Sequence, residues 1–319
     1  WGQTYSVSIF LLLLSIWFLE RKKAFPAWFS LAIMGLTRPQ MLVPAFLLGA
    51  VFLRRFSPKE NVEAISWSIV AAFLFLGPFA LAISPSLPVD ILVNTLLIQP
   101  RGNEALWNAV SLDAYSVWTL LTYFVGGAKG LARIFYPSVA PLIGPITYRQ
   151  LSQILTTGLI LFLAGLLVFH RKANRERYIP IVALGTASLL VLYTGLSSVH
   201  FVIGLPLLVL CRKSMTSAAY YAVIAIWTVT TFVPMYGVFG FAIAGVGYLA
   251  PALHHSSNAV THLFMDLFSS DRFMTLGASA NIMALLWLFW QAMPFGWNPT
   301  ERVDGSPPRS TVASAAASK

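Results

Sequence analysis

The chain has 319 residues, of which 57% are hydrophobic and 10% charged, with a mean hydropathy of +0.74. A single soluble core cannot absorb that much apolar surface, whereas hydrocarbon can, provided each crossing satisfies its own backbone as a helix. The formal net charge of +10 suits basic loops at an anionic membrane face and requires no nucleic acid, and the lone Cys211 excludes an intrachain disulfide or a cysteine-based metal site.

These observations predict an all-α protein, a polytopic transmembrane helical bundle over residues 1–296 followed by a disordered cytoplasmic tail over 297–319. At the start, Trp1 leads directly into an apolar run with neither a charged n-region nor a small-residue cleavage site, so it does not read as a signal peptide. The expectation is a chain whose upstream membrane segments are missing.

Lys and Arg are retained on the cytoplasmic side and so orient the path. Of the 21, 15 fall in residues 20–23, 54–63, 170–178, 212–213 and the tail. The other six are Arg38, Arg101, Lys129, Arg133, Arg149 and Arg272. In chain order, residues 5–19 run inward, and 24–53 form a short hairpin turning at Arg38 and Pro39. Residues 65–83 run outward, 151–169 inward, 179–196 outward, 201–211 inward and 218–236 outward. A last helix over 273–291 returns the tail to the inside. The hairpin arms and 201–211 are shorter than the ~20 residues of a straight crossing, which fits broken helices lining a protected cavity. Residues 84–150 are expected to be a long outer loop folded against the membrane, with a re-entrant segment or a full crossing as the alternative readings of its apolar part, 114–125.

Polar groups among apolar helices are costly and mark candidate sites. Trp1 and Gln3 open the first segment, where Trp1 also suits an interfacial anchor. Arg38 interrupts a long apolar stretch and is followed by Pro39 and Gln40. Its guanidinium would bind phosphate oxygens in a bidentate way, or would snorkel to the interface. His200 stands before the proline-containing run 201–208, where an imidazole and free helix-start amides would bind an anion, or would simply cap a loop. Residues 111–118 place Asp113, Tyr115 and Trp118 at the entry to an apolar segment. That composition suits sugar contact, and equally a helix cap with an aromatic belt.

In their order, Trp1-Gly2-Gln3, Arg38-Pro39-Gln40, Ser111 to Trp118, and His200 with Leu205 to Leu208 resemble motifs of the GT-C membrane glycosyltransferases. These are the mannosyltransferase-like and dolichyl-phosphate-glucose glucosyltransferase-like enzymes that use polyprenyl-phosphate sugars. The resemblance implies transfer of mannose or glucose from a lipid-phosphate donor to a glycan or lipid-linked acceptor on the outer face, without a cofactor or bound metal. It implies donor-phosphate contacts at Arg38 and His200, and substrate contacts at Trp1, Gln3, Gln40, Asp113, Tyr115 and Trp118. Arg38 stands where the family often has Lys, Asp113 and Ser116 where it has Asn, and Phe201 where a Glu follows the His. The family's catalytic Asp lies in the first outer loop, which would place it upstream of Trp1. A multi-pass prokaryotic cell membrane protein is the implied setting, with the endoplasmic reticulum membrane as the other.

Two other functions fit the same features: a transporter or lipid flippase, which also uses broken helices and intramembrane Arg and His, and a non-catalytic scaffold. Gly245-Val246-Gly247-Tyr248-Leu249-Ala250 fits the string G-x-G-x-x-A, but without a βαβ unit it reads as close helix packing, together with Gly237, Gly240 and Ala244. His254, Asn258, His262 and Asp266 share a four-residue spacing that suits a solvated helical face better than a thin metal site.

Overall fold

The computed structural model describes residues 2–37, 39–83, 109, 115–194, 203–249 and 259–293. The chain is all-α and multi-pass. Helix α1 (Gly2–Glu20) is followed by α2 (Ala24–Thr37), a 3-10 turn at Pro39–Met41, α3 (Leu42–Arg55) and α4 (Pro58–Ile83). The region that the charge pattern assigns to the outer side holds α5 (Val117–Phe124), a 3-10 turn at Gly130–Arg133, and a hairpin of β1 (Pro141–Ile143) with β2 (Ile146–Thr147). Next come α6 (Tyr148–Phe169), α7 (Arg171–Glu176), α8 (Tyr178–Leu192) and α9 (Gly204–Leu210). The last described helices are α10 (Ser217–Leu249), α11 (Ala259–Ser269) and α12 (Asp271–Ala292).

Among the described residues, three segments are long and apolar enough to cross a membrane: Tyr148–Phe169, Ser217–Pro234 and Asp271–Ala292. Around them stand shorter apolar helices, so the fold is a helical bundle with broken members. One apolar core is shared by α1, α2, α3, α6, α8, α9, α10 and α12, with Leu12, Met34, Leu47, Leu163, Leu184, Leu207, Val223 and Leu288 buried in it.

Local chemistry sets the element ends. Lys23 N donates to Phe18 O and Lys22 N to Leu19 O, a Schellman closure with Lys22 in the left-handed region at φ 55°. Ser57 and Glu60 exchange hydrogen bonds in a capping box that starts α4, and Thr147 and Gln150 do the same for α6. Gly144, at φ +56°, and Pro145 make the two-residue turn between the strands.

The packing fixes heights. An added Cβ on Gly35 would touch Leu42 and Ala45, and one on Gly49 would touch Trp28 and Leu31, so α2 and α3 form an antiparallel hairpin. Arg55 Nε donates to Asn174 Oδ1 at 2.9 Å, and an added Cβ on Gly185 would meet Leu47, so α3 and α8 are antiparallel as well. Asn174 Nδ2 donates to both Leu167 O and Val51 O, which sets α6 parallel to α3 with these two residues level.

The basic loops gather at one end. Arg55 Nη2 donates to Asn174 O and Arg175 O while its guanidinium stacks over Tyr178, whose hydroxyl donates to Glu20 Oε1 at 2.6 Å. Trp28 Nε1 donates to Asn61 Oδ1, and Arg177 Nη1 donates to Gln291 O. Residues 20, 55, 61, 174–178 and 291 therefore share the end that the charge pattern assigns to the cytoplasm. Asn174, within the basic stretch 170–178 that the sequence assigns to the cytoplasmic side, is buried as the hub of these bonds.

Within 115–125 the described residues form the eight-residue α5, a rise of about 12 Å that is too short to cross, in keeping with the folded loop expected there. Other segments differ from the expected boundaries. The segment 201–211 contains a seven-residue helix, rising about 10 Å, rather than a crossing. The helix expected to end near Tyr236 continues through Pro234 to Leu249. The β-hairpin was not foreseen, because two strands of three and two residues leave no periodic signature. The tail at 297–319 lies outside the described residues.

Candidate functional site

The candidate site is a level in the bundle where short helices stop. From Arg55, α3 climbs fourteen residues, about 21 Å, and ends at Leu42, some two-thirds of the way across a ~30 Å hydrocarbon core. Antiparallel to it, α8 climbs fifteen residues from Tyr178 and ends at Leu192. Leu47 lies against Gly185, so the 3-10 turn at Pro39–Met41 and the end of α8 reach comparable heights. There α3 gives way to the 3-10 turn, and Tyr193 and Thr194, just after α8, are not helical, while α6 continues past the same height.

The polar side chains at this level are mostly small and buried. Ser8 Oγ and Thr37 Oγ1 are 2.7 Å apart, joining α1 to the top of α2. Ser152 Oγ accepts from Thr194 N at 2.9 Å, securing the chain just after α8. Leu163 neighbours Gly185 and Leu47, so Thr156, seven residues earlier on the parallel α6, is level with Gln40. Gln40 Oε1 and Thr156 Oγ1 are both buried and lack a hydrogen-bond partner. An unmatched buried polar atom costs about 1–3 kcal/mol, so two at one height mark a place built for something polar rather than for packing alone.

The segment ending at Trp118 reaches the same level. Trp118 is fully buried, and its Nε1 donates at 2.8 Å to Leu192 O, one of the open carbonyls at the C-terminus of α8. Ser116, before α5, has a buried Oγ without a partner. Tyr115 O accepts from Asn281 Nδ2 at 2.7 Å, and Asn281 Oδ1 accepts from Thr230 Oγ1 at 2.7 Å, tying this segment to α12 and α10. The Tyr115 ring packs against Phe268 and Phe273 and is itself buried.

Of the residues singled out from sequence, Gln40, Tyr115 and Trp118 are therefore placed at or beside this level. Gln40 is half-buried, while protein covers both aromatic rings. Gln3 lies on α1, five residues beyond Ser8 toward the outer end. Trp1, Arg38, Asp113 and His200 lie outside the described residues. Arg38 falls between the described Thr37 and Pro39, whereas His200 lies in the run 195–202, all of it outside the described residues.

A second polar centre was missed. Arg133, counted from sequence as one of the outer-face charges, is completely buried. Its Nε and Nη2 donate to Thr119 O at 3.1 and 2.8 Å. Its Nη1 donates to Asp271 O at 2.9 Å and to Thr275 Oγ1 at 3.1 Å, and pairs with Asp271 Oδ1 at 3.3 Å. Its guanidinium also lies 4.7 Å from the Tyr123 ring centre. Asp271 in turn accepts from Gly130 N at 2.8 Å. Nε and Nη2 of Arg133 hold it to α5 and Nη1 holds it to the start of α12, so this centre is structural. Its only sequence signal is a basic residue inside a largely apolar loop.

Among the described residues no group of three or more His, Cys, Asp or Glu side chains could hold a metal. His262 and Asp266, two of the residues with four-residue spacing, lie on α11, while His254 and Asn258 fall outside the described residues. The string 245–249 is helical, not a strand followed by a turn. No known protein family, curated protein or solved structure shows significant similarity to the chain.

Proposed function

We propose that the protein is a membrane hexosyltransferase that takes mannose or glucose from a polyprenyl-phosphate sugar and transfers it to a glycan or lipid-linked acceptor on the outer face. The observation that carries this reading is the shared height of Gln40 and Thr156, two buried unpartnered polar atoms, at the level where α3 and α8 end. Arg38 and His200 belong to the segments that join these helix ends to the rest of the chain. A lipid-linked phosphate reaches this depth from the outer leaflet without its chain leaving the hydrocarbon.

In the reaction, an acceptor hydroxyl oxygen attacks the anomeric carbon, the bond from that carbon to the phosphate oxygen breaks, and the polyprenyl phosphate departs with the electron pair. A base takes the hydroxyl proton. Arg38 would receive the charge growing on the phosphate through paired N–H donors, and His200 would add a third. Gln40 would present its amide beside them. The covered rings of Tyr115 and Trp118 would shape the wall of the site from behind.

The test is transfer of labelled hexose from a polyprenyl-phosphate donor, in membranes carrying the protein. Arg38→Ala and His200→Ala should each reduce transfer by roughly 30-fold to 1000-fold, the equivalent of about 2–4 kcal/mol of lost transition-state stabilisation. Arg38→Lys should retain part of the activity, because it keeps the charge and loses only the fork. Movement of the intact donor across the bilayer with no transfer would instead identify a flippase.

A further inference from the structure

The outer hairpin exposes an apolar surface that the bundle does not use. No charged residue occurs between Ile134 and Tyr148. Within this stretch Phe135 is 47% exposed, Val139 52%, Ile143 62% and Ile146 38%. Ile143 and Ile146 face each other across the Gly144–Pro145 turn, so the tip itself is apolar. Phe124 and Val125, at the end of α5, are also exposed. An exposed, uncharged apolar patch of this kind marks an interaction surface.

We propose that this hairpin is a wedge inserted into the outer leaflet, with an acyl chain of a bilayer phospholipid in the groove beside it. The occupant follows from continuity. β2 leads directly into α6, a membrane-spanning helix whose Ile154, Leu155, Leu161 and Phe162 are exposed. Between tip and helix lies a groove of about 410 Å³ lined by Pro145, Ile146, Gln150, Gln153 and Ile154. Its apolar walls suit a lipid chain, and its two amides suit the ester level of a phospholipid.

The polar neighbours set the depth. Arg149 Nη2 donates to Ser138 Oγ at the base of the hairpin, and Lys129 is exposed near the end of α5. Both would sit at the headgroups while the tip enters the acyl boundary. Insertion has to be shallow, because a two-stranded hairpin leaves edge backbone groups that hydrocarbon cannot satisfy. The stretch also offers no charge with which a soluble partner would form ion pairs. The inference does not depend on the transferase reading.

The experiment uses the full chain in phosphatidylcholine vesicles, with Cys211→Ala as background and an environment-sensitive fluorophore on Ile143→Cys. Val139→Cys carries the label in a second preparation, and Glu176→Cys, at the opposite end, serves as the aqueous control. The label at 143 should emit to the blue of the control and be quenched several-fold more by lipid bearing a nitroxide near the headgroup than by aqueous iodide. Iodide quenching equal to that of the control at both hairpin positions would overturn the proposal. Shielding from both quenchers would overturn it too, since that result means a protein surface covers the hairpin.

Discussion

Replacing Arg133 by Met removes the guanidinium while keeping most of the side-chain volume, and so isolates the polar clasp of the outer region. The substitution deletes two donors to Thr119 O, one each to Asp271 O and Thr275 Oγ1, and the ion pair to Asp271. Breaking a buried pair by removing one partner typically costs about 3–5 kcal/mol, because the other is left buried and uncompensated. The Asp271 side chain is 33% exposed and can be partly rehydrated, which moves the expectation to the low end, about 3 kcal/mol. Asp271→Asn should cost less, on the order of 1 kcal/mol, since an amide oxygen can still accept from Gly130 N. Thermal unfolding in detergent micelles reads the stability, and hydrogen exchange over residues 117–134 reads whether the loss is local. Unchanged melting and unchanged protection of that segment in Arg133→Met would refute the assignment of Arg133 as the clasp.

Topology is tested with single cysteines in the Cys211→Ala background: Glu176→Cys should react with an impermeant reagent only from the cytoplasm, and Lys129→Cys only from outside. The reverse result would invert the placement of every outer residue discussed above. Gly277→Ala should destabilise by about 1–3 kcal/mol, because the new methyl would lie 2.6 Å from Cδ2 of the buried Tyr115 ring; a neutral effect on melting would show that this contact relaxes freely. The hydrogen bonds from Ser57 hold the Glu60 carboxyl below its ordinary pKa. A lowered folded-state value means that the cap's contribution is complete above the unfolded pKa and fades as pH falls through the folded one. Protection of residues 57–63 should therefore weaken on acidification, and Glu60→Gln should flatten that dependence; an unchanged profile in the variant would remove Glu60 as its source.

The long apolar runs were legible because a 3.6-residue helix in lipid needs nothing but apolar side chains and its own backbone. Residues 5–19 and 273–291 became α1 and α12 within a few residues. The break near Arg38 was legible from Pro39, which cannot donate to a continuing helix. The layout of the outer region was not, because it depends on contacts between distant residues: Arg133 with Asp271, Trp118 with Leu192, Asn281 with Tyr115. The same cause hid Asn174, whose burial needs Arg55 and Val51 from another helix. Charge counting assigned Arg133 to the outer side and yet could not distinguish a solvated basic residue from a buried one. For the candidate site, the sequence pointed to residues around two helix breaks, but only packing registers bring Gln40 and Thr156 to one height.

The most direct test of the central claim is equilibrium binding of polyprenyl phosphate to the 319-residue chain in nanodiscs, compared with Arg38→Ala and His200→Ala at matched thermal stability. The account predicts saturable binding by the parent chain, and at least roughly tenfold weaker binding in each variant, the loss of about 1.4 kcal/mol or more of charge-assisted contact. Equal affinity in all three proteins, or no saturable binding by the parent chain, would contradict it.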